Sequence, residues 1–107
     1  MRLMTKTLEK RFAKIGSQEN SNDPTIVAHY FNPMGAGDWW ATEYDPDDRI
    51  IFGYASIFND WNDEWGYTSL NELETYKGRW GLGIERDLYW NEKRASEVIA
   101  GFTGFDK

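Results

Sequence analysis

A chain of 107 residues has room for one domain with one core, and its lack of cysteine excludes disulfides, thiolate metal sites and a catalytic thiol. The formal charge of −6 opposes direct binding to a phosphate backbone. No apolar run approaches the roughly 20 residues of a membrane-spanning helix, and Met1–Lys6 lacks the apolar core of a signal peptide, so a soluble, cytoplasmic protein is expected.

In chain order, the first predicted element is a helix over 5–16, with Leu8, Phe12 and Ile15 at helical spacing and Gly16 as its stop. Residues 1–16 carry Arg2, Lys6, Lys10, Arg11 and Lys14 against Glu9, a net +4. The polar stretch 17–24 has no apolar period and reads as a linker. Residues 1–24 are thus expected as a basic helix and linker appended to a single compact domain over 25–107.

Three strands follow, over 25–31, 39–44 and 49–57, rich in β-branched and aromatic residues. The last two should form an antiparallel hairpin around the Asp45-Pro46-Asp47-Asp48 turn. Strict alternation sends Trp39, Ala41 and Glu43 to one face and Trp40, Thr42 and Tyr44 to the other. Residues 58–67 read as a loop or irregular strand, and Ser69 with Glu72 forms a capping box for a helix over 69–76. An extended segment over 80–90 and a final helix over 93–100, with Ala95, Val98 and Ile99 on one side, complete an α+β fold. It comprises a small antiparallel sheet flanked by short helices.

The segments Trp40–Asp45, Phe52–Tyr54, Glu64–Tyr67, Ser69–Glu74 and Gly81–Tyr89 follow one another in a familiar order. In this order the chain resembles the bacterial family labelled domain of unknown function 2958, over roughly residues 25–99, with GLGIERDLY as the most specific stretch. The resemblance implies no reaction and no catalytic residues. It does imply a context of plasmids, phages and integrated mobile elements, and with it a role against a host nucleic-acid defence.

Negative charge concentrates in residues 38–75, where ten carboxylates face Arg49 alone, a net −9. Trp39, Trp61 and Trp65 lie in the same stretch. Together with Asp60, Asp63 and Glu64 they form the expected partner-binding surface, because carboxylates speed association with a cationic groove and indoles supply desolvated anchors. The expected partner is a basic protein surface such as that of a nucleic-acid-binding effector, which would make the chain an inhibitor of anti-CRISPR or antirestriction type. The other reading is a small enzyme or ligand-binding domain built on Glu43, Glu85, Arg86 and Asp87, with Arg86 paired to a carboxylate such as Glu43. A third gives the basic helix its own contact with nucleic acid or an acidic protein.

Several chemistries find little support. Asp60, Asn62 and Glu64 alternate like calcium ligands, but the required glycine falls one place late, at Gly66, and Asn71 stands where the closing glutamate should be. Gly81-Leu-Gly83 lacks the third glycine of a dinucleotide loop and any P-loop lysine. His29, the single histidine, is expected as a satisfied, partly buried imidazole beside Val27 and Phe31, without recognisable partners for a triad. No metal or cofactor is expected.

Overall fold

The computed structural model describes residues 2–57 and 63–105. It has the expected α+β class: a five-stranded antiparallel sheet, a two-stranded antiparallel sheet and, among the described residues, three short α-helices. In chain order these are α1 (Lys6–Ile15), β1 (Thr25–Ile26), β2 (Ala28–Phe31), β3 (Asp38–Asp45), β4 (Ile50–Ser56), β5 (Glu64–Ser69), α2 (Leu70–Thr75), β6 (Glu85–Arg86), β7 (Lys93–Arg94) and α3 (Ala95–Val98). The main sheet runs β5-β4-β3-β2-β6, and β1 pairs with β7.

Helix α1 begins where Thr5 accepts the Leu8 N–H at 3.1 Å and ends at Gly16, whose φ of +69° suits a residue without Cβ. It is not an appendage. Leu3, Met4 and Phe12 belong to the same buried cluster as Tyr30, Trp39, Ala41, Ile51, Leu70, Leu73 and Ile84. The linker is likewise tied down: Gln18 donates to the Thr25 and Thr42 carbonyls, both at 2.8 Å, and accepts the Thr25 N–H at 2.7 Å.

The expected strand over 25–31 breaks at Val27, whose N–H reaches the Ala41 carbonyl at 2.8 Å, so that β1 leaves the main sheet for β7. The β3–β4 hairpin forms as expected, its turn closed by the Asp47 N–H on Asp45 at 2.9 Å and by Arg49 at φ +53°. Of the stretch 58–67, expected as a loop or irregular strand, the described part from Glu64 onward belongs to the regular edge strand β5, paired with β4 from Ala55–Glu64 to Ile50–Ser69. The extended reading of 80–90 shrinks to β6. The expected helix over 93–100 shrinks to α3, whose first turn the Asp23 carboxylate caps by accepting from Ser96 N–H (2.9 Å) and Oγ (2.6 Å).

One departure from alternation decides what each face of the sheet carries. Ala41 pairs with Gly53, but the next pair is Glu43 with Phe52, which makes Thr42 an extra residue. Thr42 is buried, and its hydroxyl donates to the Phe52 carbonyl at 3.2 Å. Beyond the bulge the parity reverses. Tyr44 turns into the core against Phe12, with ring centroids 5.8 Å apart, while Glu43 turns to the opposite face. Gly53 permits this, because a Cβ there would lie 1.9 Å from the Trp40 carbonyl oxygen.

Candidate functional site

The sheet face away from the core carries the chemistry. Across β2 to β5, residues His29, Trp40, Tyr54 and Trp65 stand directly opposite one another. Side chains so placed share a face, and their ring centroids are 5.3, 6.0 and 5.6 Å apart in turn. The C-terminal segment covers the middle of this row. Trp90 donates its indole N–H to the Ile26 carbonyl at 3.0 Å, and Phe102 and Phe105 pack on Trp65 at 5.3 and 4.8 Å. Much of the aromatic excess is therefore a second, ring-built core around Ile26, Ala95 and Ile99.

At one end of the row His29 is clamped between two carboxylates. Its Nδ1 lies 3.0 Å from Asp87 and its Nε2 2.8 Å from Asp38, with the imidazole 14% exposed and stacked on Trp40. Burial pushes the Asp87 carboxyl up, but hydrogen bonds from His29 and the Tyr89 N–H, with the charges of His29 and Lys93, outweigh it and hold the group below the usual carboxylate range. A triad histidine turns one nitrogen to a carboxylate and the other to a nucleophile. Here both nitrogens meet carboxylates, so the constellation locks β2, β3 and the segment after β6 together. The partners that the sequence did not reveal come from residues 9 and 58 positions away.

Beside the row, on the next rung toward the β3–β4 turn where Glu43, Phe52 and Tyr67 stand opposite one another, the face opens next to the bulge into a cavity of about 370 Å³ lined by Gln18, Thr42, Glu43, Phe52, Tyr67 and Phe105, with Glu19 also in its lining. The Glu43 carboxylate accepts the Gln18 N–H at 3.1 Å. Phe52 and Tyr67 meet edge to face with centroids 5.0 Å apart, and Tyr67 is 79% exposed. Asp45, Asp47 and Asp48 are exposed on the β3–β4 turn at this same end of the sheet. Arg49, the one cation of the acidic stretch, is bound to Asn71 and, at 2.8 and 3.1 Å, to Glu74.

The expected partner-binding residues are distributed as follows. Trp39 is buried in the main core at 9% exposure. Trp65 is half-buried under Phe102 and Phe105, Asp63 accepts from Ser56 Oγ at 2.8 Å, and Glu64 is exposed. Asp60 and Trp61, and with them the start of the calcium-like spacing, lie outside the described residues.

Glu43, Glu85, Arg86 and Asp87 are not brought into one cleft. Glu85 pairs with Phe31 and Arg86 with Tyr30, which places Arg86 on the core face and the flanking acids on the other. Glu43 holds the Gln18 backbone at the far end of the sheet, so the expected Arg86–Glu43 pairing gives way to this register. The recess was legible in only one sign, a glycine inside the apolar run 49–57, which often marks a bulge. Among the described residues no group of three His, Asp or Glu side chains is arranged to hold a metal ion, and no helix is long and apolar enough to cross a membrane.

A family model described as "Protein of unknown function (DUF2958)" matches residues 3–101. That span takes in α1, which the sequence resemblance over 25–99 left outside. No curated protein and no solved structure matches the chain.

Proposed function

Because the chain belongs to the DUF2958 family, whose description assigns no activity, we propose its role from its surface: a protein-binding module that presents an acidic, aromatic face to a basic partner. The observation that carries this reading is the open end of the second sheet face. There Glu43, Phe52 and the exposed Tyr67 stand beside the Asp45–Asp48 turn, while the one cation of that turn is consumed by Glu74. Carboxylates without local compensation raise the encounter rate with a cationic surface, and exposed rings supply the desolvated contacts. The clamped His29 supports binding over catalysis, since neither of its nitrogens faces a substrate.

A nucleic-acid-handling enzyme, whose phosphate channel is cationic, is the partner class this face fits, and occupying that channel would inhibit it in the anti-CRISPR or antirestriction manner. The test places a photo-crosslinking phenylalanine at Tyr67 and, as a control elsewhere on the surface, at Tyr89, in host cells. Position 67 should trap a net-cationic protein. That adduct should fall several-fold in the Asp45→Lys, Asp47→Lys, Asp48→Lys variant and as salt is raised to about 1 M, where the screening length is roughly 3 Å. Equal adducts at 67 and 89, or capture indifferent to salt and charge reversal, would remove the reading.

A further inference from the structure

We propose that the recess beside the bulge binds a guanidinium group, the side chain of an arginine in the basic partner. This deepens the reading just given and rests on it for the identity of the ligand's carrier. The recess has three properties that together select this chemistry. First, its carboxylate is positioned by the fold: the Thr42 bulge turns Glu43 out of the core, and the Gln18 N–H holds the carboxylate at 3.1 Å. Gln18 is itself fixed by three hydrogen bonds to residues 25 and 42. A carboxylate carries about four lone-pair sites, so one N–H bond leaves capacity for a donor entering from the cavity.

Second, part of the wall is aromatic. Phe52, Tyr67 and Phe105 line the cavity, and Phe105 is braced edge-on against Trp65. A planar cation stacks on ring faces while its edge pairs with a carboxylate, a combination that suits a guanidinium better than the compact, strongly hydrated ammonium of lysine. Third, the mouth is open: Tyr67, which lines it, is 79% exposed. A side chain can therefore enter from a folded partner without rearrangement of the sheet.

The experiment is an amide NMR titration of the full chain with Nα-acetyl-arginine amide, and with the lysine and citrulline analogues. Arginine should give saturable shifts confined to residues 18, 42, 43, 52, 66 and 67. Lysine should bind several-fold more weakly, and citrulline, which is isosteric and uncharged, should leave these amides unmoved. Glu43→Gln should weaken arginine binding about tenfold or more while leaving the rest of the spectrum in place; Phe52→Leu provides a second variant that retains apolar volume and loses the ring. Non-saturating shifts, shifts centred on the Asp45–Asp48 turn, equal response to citrulline or lysine, or unaltered binding by Glu43→Gln would each overturn the proposal.

The two ideas fail separately. Salt-dependent crosslinking at position 67 that survives Glu43→Gln unchanged sinks the recess and keeps the acidic face. Arginine binding in the recess without any cationic protein trapped at position 67 does the reverse.

Discussion

Glu74 and Arg49 join the β3–β4 turn to α2 through a bidentate pair, which Asn71 completes. The hydrogen bonds from Arg49 hold the Glu74 carboxyl below its usual value; they outweigh burial, and the charge of Arg49, the Leu3 N–H and the charge of Arg2 act in the same direction. A carboxyl depressed in the folded state contributes stability above its unfolded pKa of about 4.3 and loses that contribution as pH falls through the lower folded value. Glu74→Gln should therefore melt earlier than the parent by about 1 kcal/mol or less near neutrality, as befits a partly exposed pair. The gap should close below about pH 4. Thermal melts of both proteins across that range check it, and a gap independent of pH would refute the assignment. Elsewhere burial has the opposite outcome: it pushes the Tyr30 hydroxyl up, and that oxygen has no hydrogen-bond partner among the described residues.

The bulge in β3 is the element on which the second face depends. A strict ladder would send Glu43 into the core beside Ala41 and turn Tyr44 toward the second face. With Thr42 inserted, an acid leaves the interior and a ring enters it, which satisfies both. Gly53 is the condition for this, since a methyl group there would overlap the Trp40 carbonyl oxygen at 1.9 Å, and backbone cannot rotate away as a side chain does. Gly53→Ala should cost about 3 kcal/mol, as overpacking in a dense interior does, and lower the melting temperature by roughly 10–20 °C in a domain of this size. Circular dichroism melts decide the point; a variant as stable as the parent would mean that the bulge tolerates a side chain.

Over the whole molecule, the charge division into a basic start and an acidic middle does not correspond to a division into separate bodies. The cations of α1 lie outward, where Arg11 pairs with Glu92 at 2.7 and 2.6 Å, while Leu3, Met4 and Phe12 fill the core from the other side. Each such side chain contributes about 2–5 kcal/mol against truncation, and a domain holds about 5–15 kcal/mol in total. Removing residues 2–16 should therefore abolish the cooperative thermal transition. A truncated chain that still melts cooperatively would show α1 to be dispensable. Loss of binding after such a truncation would report unfolding, so a contact made by the basic helix has to be sought with surface substitutions such as Lys10→Glu.

The element types of α1, the β3–β4 hairpin and α2 were legible in the chain because each rests on local chemistry: apolar spacing, a turn of proline and aspartates, a serine cap with glutamate three residues on. So were the α+β class and the family. The facing of Glu43, the regular pairing of 64–69 and the clamp on His29 were not, because each is fixed by a partner distant in sequence. A glycine on the next strand allows the bulge, β4 templates β5, and Asp38 and Asp87 converge on one imidazole only when β2 lies between β3 and β6. Tryptophan count announced ring surface, but only packing assigned Trp39 to the core, Trp40, Trp65 and Trp90 to a covered second face, and Tyr67 to solvent. Burial is a property of the assembled sheet, and no residue carries it alone.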